Sequence, residues 1–445
     1  MEKLIEQINA LSKGYEVFGV GGFVRDLIIK RRHSDIDLAV NKDALKYSKK
    51  IAKALNAKVV VLDDISKTYR LILKDFPVSN IDISLLSADT IEADLKMRDF
   101  TINSAAFNLK HFSDFNKNLI FSSSACLKDL KSKTISVVSD KSFEQDPLRM
   151  LRAFRFSAEL DFKISDNTLK QIKKYASSIK KVAPERIKAE FFRILNCPKS
   201  ARLIFQMNKT GLLSAIFPEI NEMLKAKKKF YYHKGGLFEH SFETFEAIEN
   251  IIADIKKYFP DNFIDLEKHL NDNTDFSDFV SKAGLLKFAA LFHDNAKPET
   301  AKKDGDKVRF LGHEEQGADK IEKIMNSIKM SKKDIAFVSF LILNHMRPSN
   351  LTKNNIVTKR ACLKFFREIG DKTPEQIILS MADWHSYKKL KVHSKKELKN
   401  QEKIVREMIA DYYELKKQKP LKKIIDGNII MKHFKLKPGP WLKDM

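Results

Sequence analysis

Gly19-Val-Gly-Gly-Phe-Val-Arg-Asp26 joins a strand-like run, Tyr15-Glu-Val-Phe-Gly19, to a helical pattern, and Ser34-Asp-Ile-Asp-Leu38 follows closely. Glycines at a strand-to-helix turn let backbone amides approach a phosphate, and the helix N-terminus adds positive potential. The same turn would equally serve as a tight connection with no ligand. In a strand, residues two apart point to one side, so Asp35 and Asp37 present paired carboxylates from a single face. Carboxylates that close repel unless a divalent cation neutralises them, as in phosphoryl-transfer sites. An exposed edge strand with two solvated aspartates is the alternative, and the preceding glycine turn disfavours it.

Around this stretch, residues 1–140 carry the β signal. Ile36–Val40, Lys58–Leu62, Tyr69–Leu73 and Ile81–Leu85 are short runs rich in β-branched residues, with helical patterns at Leu27–Lys30 and Ala44–Leu55. Residues 141–225 read as almost purely helical, and Pro184 suits a helix first turn. Residues 226–350 are helical with frequent histidines, and 351–445 are helical and basic. Between Lys388 and Lys423 there are 13 Lys/Arg against 5 Asp/Glu. This surface suits either an RNA backbone or plain solvation. The expected fold is α+β, a small α/β head followed by helical neck, third and tail domains.

Composition narrows the function. A chain of 445 residues predicts several domains, and 43 % apolar residues exclude wholesale disorder. Only 14 glycines and 12 prolines argue against a loop-rich β-sandwich. Lys plus Arg exceed Asp plus Glu by 82 to 58, a net +24 that points to a polyanion, either nucleic acid or an anionic membrane. Leu285–Phe292 and Phe337–Leu343 are too short for a membrane span. The opening MEKLIEQINALSKG lacks a signal-peptide core, and Cys126, Cys197 and Cys362 form no spaced set. A soluble, cytoplasmic protein with no membrane partner is expected; oligomeric state is not legible.

Two later segments add chemistry. Asp94-Leu-Lys-Met-Arg-Asp-Phe-Thr-Ile-Asn103 sets Arg98 and Asp99 before what reads as a small-residue helix. Glu144-Gln-Asp-Pro-Leu-Arg-Met-Leu-Arg152 spaces Asp146, Arg149 and Arg152 by three, on one helix face. With Pro184-Glu-Arg-Ile-Lys-Ala-Glu190, these motifs resemble, in order, those of the bacterial tRNA nucleotidyltransferase and poly(A) polymerase family, over roughly residues 15–215.

The resemblance implies roles at matching positions. Asp35 and Asp37 would hold Mg²⁺, and Gly21, Gly22, Arg25 and Arg98 would cradle a triphosphate. Asp99 and Asn103 would read the ribose. Asp146 and Arg149, with Arg152 beside them, would act as a protein template for C or A, a carboxylate accepting from the exocyclic amine and Arg donating to ring acceptors. Asp82, on a later strand, is the candidate third carboxylate. The implied substrates are tRNA, CTP and ATP; a poly(A) polymerase or a non-catalytic RNA-binding protein are the rivals. Met97 and Gln145 depart from the family's Arg and Glu. The connection Ser87–Ala93 is short where members that add all of CCA carry a longer loop, which implies preference for C.

His240, His293-Asp294 and Asp383 resemble, in order, the HD phosphohydrolase set and would bind a divalent transition metal, with His313 and His345 as second-site candidates. A structural helical domain retaining these residues is the alternative. Leu436-Lys-Pro-Gly-Pro-Trp-Leu442 resembles a turn that leads into one more helix in the family, so looser packing of the tail is expected.

Overall fold

The computed structural model describes residues 1–32, 35–63, 67–74, 76–113, 119–226, 235–305, 307–352, 357–387, 394–418 and 427–435. The β signal condenses into one seven-stranded sheet of order β3-β4-β5-β2-β1-β6-β7. Its strands are β1 (Val17–Val20), β2 (Asp35–Val40), β3 (Lys58–Asp63), β4 (Thr68–Ile72), β5 (Asn80–Leu85), β6 (Ala105–Asn108) and β7 (Ile120–Ser122). β2 and β5 run parallel and the other neighbours antiparallel. The helix Ala44–Ala54 and the β3–β4 pair provide the crossover that parallel neighbours require. Alternation along β2 sends Ile36 and Leu38 into the core and leaves Asp35 and Asp37 half-buried on the opposite face. On β5, Ile81 and Ile83 are buried in the same way, and Asp82 shares the side of Asp37.

Three local expectations are corrected. The segment after Asp99 is not a helix: one 3₁₀ turn, Thr101–Asn103, leads into β6. Ala105, Ala106 and Phe107 are fully buried between β1 and β7, and pairing on both sides overrides the helical preference of alanine. Nor does Asp146 share a helix face with Arg149 and Arg152. It is extended (φ −146°, ψ 103°) between the helices Ser142–Gln145 and Arg149–Leu160, because Pro147 disfavours helical backbone in the residue before it. Asp94 lies inside the helix Ile91–Lys96, so the irregular part of the preceding connection is shorter than the sequence suggests.

Helices account for the remainder, with Pro184 in the first turn of Pro184–Asn196. The buried apolar cluster runs continuously from Leu4 to Tyr412. Phe191, Phe192, Phe217, Phe288 and Phe292 interlock with centroids 4.9–6.2 Å apart. Beside them the buried Lys287 donates to Leu195 O, Cys197 O, Ser200 Oγ and Glu249, tying the helix Lys282–Phe292 to the neck. The basic helix Lys395–Lys417 is not all surface, since Val405, Met408 and Ile409 are buried. The turn 436–442 lies outside the described residues. Among those described, no helix is long and apolar enough to cross a membrane.

Candidate active sites

The glycine turn, the carboxylate strands and the first neck helices enclose one cleft of about 1020 Å³. All twelve head and neck residues singled out from the sequence line it: Gly21, Gly22, Arg25, Asp35, Asp37, Asp82, Arg98, Asp99, Asn103, Asp146, Arg149 and Arg152. The helix Gly21–Ile28 starts directly over β2, and the Phe23 N–H donates to Asp37 Oδ2 at 3.3 Å. A Cβ on Gly22 would stand 3.2 Å from that oxygen, and Gly21 has φ +62°, so both positions favour glycine.

Sheet register sets a charged row, Arg70–Asp82–Asp37. Arg70 holds both Asp82 oxygens at 2.7 Å, and Asn80 donates to Asp35 at 2.8 Å. Burial, and then the neighbouring Asp82, push the Asp37 carboxyl up to about 6 despite the Phe23 amide, Arg98 and Arg25. A half-buried carboxylate strained in this way, in an all-oxygen donor set, fits a hard divalent cation.

Behind the turn lies a polar chain. Arg25 donates to Asp26 and Asn103, Asn103 donates to Asp99, and Arg152 clamps Asp99 at 2.6 and 2.9 Å. Although burial opposes it, Arg152 and Asn103 hold Asp99 below its ordinary value. Both Asp99 oxygens are therefore committed, which fixes Asn103 in place. Arg98 is paired with Asp94, whose other oxygen accepts the Ser87 N–H at 2.8 Å.

The Asp146/Arg149 pair is held from several sides. Asp146 accepts from the Leu148 N–H and from Arg186. Arg149 donates to Ser142 Oγ, Gln145 Oε1 and Met97 O, so both departures from the family pattern touch this one guanidinium. Sequence reading assigned no role to Arg70, Asn80, Arg186, Arg155, Arg193 or Phe279, which also line the cleft. Alternation could have flagged Asn80, two residues before Asp82; Phe279 gives no local signal.

The histidines gather separately. Two metal-sized groups occur among the described residues, His240/His293/Asp383 and Asp294/His313/His345. Asp294 spans both: Oδ2 is 3.2 and 3.3 Å from Nε2 of His240 and His293, and Oδ1 is 3.5 and 3.4 Å from Nε2 of His313 and His345. His293, His313 and His345 direct Nδ1 at the carbonyls of Ala290, Phe310 and Ile342. A carbonyl only accepts, so Nδ1 carries the hydrogen and Nε2 offers a lone pair. His313 and His345 thus aim two lone pairs at each other across 3.3 Å, and buried Asp294 Oδ1 has no hydrogen-bond partner. Against burial, Asp294 and Asp383 raise His240 to about 9, a proton standing in for a cation. This donor set fits two divalent transition metals.

A mixed sheet whose carboxylate row faces a glycine-started helix defines a nucleotidyltransferase head. Family models agree: the "Poly A polymerase head domain" matches residues 17–136, the "Probable RNA and SrmB- binding site of polymerase A" 161–224, and the "HD domain" 237–388. The chain belongs to the tRNA nucleotidyltransferase and poly(A) polymerase family, with an HD domain, and that family implies a divalent metal. It is 34 % identical to a CC-adding tRNA nucleotidyltransferase of Geobacter sulfurreducens over 46 % of each chain, so that match spans about half the relative's length. It is 26 % identical to the CC-adding enzyme of Thermus thermophilus over 96 % of this chain and 86 % of that one. The solved Thermotoga maritima CCA-adding enzyme complexed with tRNA has the same fold, with TM-score 0.62, 20 % identity and coverage of 100 % and 91 %.

Proposed function

We propose that this chain is a tRNA 3′-end nucleotidyltransferase that adds C in preference to A. One observation carries the reading: the Asp35/Asp37/Asp82 carboxylates and the Asp146/Arg149 pair line a single cleft. A binding protein gains nothing from carboxylates facing RNA phosphates, whereas a polymerase needs both. Asp35 and Asp37 would hold Mg²⁺, which when bound neutralises charge developing at the α-phosphate. The Gly21 and Gly22 turn, with Arg98, orients the triphosphate. The RNA 3′-oxygen attacks the α-phosphorus, the bond to the β-phosphate oxygen breaks, and pyrophosphate leaves. Asp82 is the candidate acceptor for the hydroxyl proton, provided one Arg70 hydrogen bond opens. Asn103, fixed by Arg25 and Asp99, faces the ribose.

Asp146 accepts from the exocyclic amine of C or A while Arg149 donates to the ring. Asp146→Ala and Arg149→Ala are therefore expected to relax rejection of UTP and GTP by roughly tenfold or more, because a bidentate base contact supplies about 1–3 kcal/mol of discrimination. Single-nucleotide addition with each NTP measures this; unchanged rejection overturns the template role.

Preference for C rests on the segment between β5 and the Ile91–Lys96 helix. The Ser87 amide and Asp94 close it on itself, Thr90 caps the helix, and Asp94 also holds Arg98. So short a closed segment has little slack to reshape the base pocket for a purine. Relatives with A-adding names also match, so the assay decides. On tRNA ending in CC with ATP alone, little A addition is expected; efficient A addition overturns the preference, and long A tails on unrelated RNA would indicate a poly(A) polymerase. At the HD site the same reading assigns hydrolysis of a phosphate ester, with Asp294 shared between two metal positions.

A further inference from the structure

Phe279 lies in the turn before the helix Lys282–Phe292, yet it lines the nucleotide cleft. Its side chain is half exposed (50 %), and its backbone is left-handed, φ +65°, a region bulky residues rarely adopt. The surroundings hold it there. Asn196 Nδ2 donates to Phe279 O at 2.9 Å, Ser281 Oγ donates to Asn196 Oδ1, and Ser277 is bonded to the buried Asp334. A guanidinium, that of Arg193, lies over the ring at 4.2 Å. Neighbouring Arg155 engages both nearby carboxylates, Glu159 and Glu190, whereas Arg193 is spent on the aromatic face.

A strained, anchored aromatic backed by a cation, at the edge of a polar cleft, is the device by which single-stranded nucleic acid is held without sequence readout. Arg193 follows Arg186 by two turns of the Pro184–Asn196 helix, about 10 Å, and Arg186 holds Asp146. Phe279 is thus held by an arginine two helical turns along from the one that holds the base-reading pair, a placement that suits the RNA strand and not the incoming nucleotide. We propose that Phe279, stacked on Arg193, is a docking platform for an unpaired base at the 3′ end of the RNA substrate. This rests on the nucleotidyltransferase reading above and adds the HD-side loop to the RNA path.

The test uses the full-length protein and an acceptor minihelix lacking CCA, with 2-aminopurine as its 3′-terminal base. Phe279→Ala and Phe279→Gly are expected to raise KM for the RNA roughly tenfold, the size of effect seen on removing a base-stacking aromatic, with KM for CTP changed less than about twofold. Phe279→Trp should restore RNA KM. Quenching of 2-aminopurine on binding should be lost in Ala and Gly and kept in Trp. Glycine suits the left-handed backbone, so Phe279→Gly should keep or raise Tm, which separates a lost platform from lost folding. Unchanged RNA KM with retained quenching, or a rise confined to CTP KM, overturns the platform. A wild type that quenches the probe yet adds no nucleotide would overturn the functional reading and leave the platform standing.

Discussion

Asp37→Asn is expected to reduce nucleotide addition on the order of 10³-fold or more while leaving RNA affinity nearly intact. The carboxylate does not hold the fold together. It sits beside Asp82 and is pushed up to about 6, so the folded protein binds its proton more tightly than the unfolded chain does. In chelator-treated protein this group lowers stability as pH rises between about 4 and 6, and the penalty is complete above that window. An amide at this position does not titrate and carries no such penalty. The variant should therefore match or exceed the wild-type Tm at neutral pH, and the difference should shrink towards pH 4. Asp35→Ala should lose activity similarly. Addition rates and Tm against pH check both halves, and near wild-type addition by either variant sinks the assignment.

At the HD site, Asp294→Ala is expected to remove all bound transition metal, because this one carboxylate faces both histidine groups. His345→Ala should lower the metal content from two equivalents to one, and His293→Ala should empty the other position. Each should abolish hydrolysis of phosphate esters while nucleotide addition remains, since the clusters share no residue. Elemental analysis after Mn²⁺ or Ni²⁺ loading is the measurement. Metal-free wild type after loading would mean that the cluster is only a buried polar network. Asp294→Ala leaves the His313 and His345 lone pairs facing one another, so Tm is measured alongside.

The head was legible because its chemistry is local. Gly21, Gly22, Asp35 and Asp37 lie within one strand–turn–helix–strand unit, and period-two alternation alone places both aspartates on one side of β2. The histidine order was legible only through resemblance, since His240, His293 and Asp383 are far apart along the chain. β6 was missed because Ala105 and Ala106 favour helix and mask the strand preference of Phe107; its partners β1 and β7 supply the hydrogen bonds.

The sequence by itself determined the carboxylate pair on one side of a strand, the helical character of the chain beyond the head and the net positive charge, all consequences of neighbouring residues or of simple sums. Only the tertiary structure decided how those groups are occupied. Register across β4, β5 and β2 joins Arg70 to Asp82 and Asp37. Packing of the neck on the head gives Arg152 to Asp99, and packing within the neck gives Arg186 to Asp146. The HD-side loop brings Phe279 onto Arg193, a contact between residues 86 positions apart. Such pairings depend on which faces are buried together, and no local pattern encodes the partner of an exposed arginine.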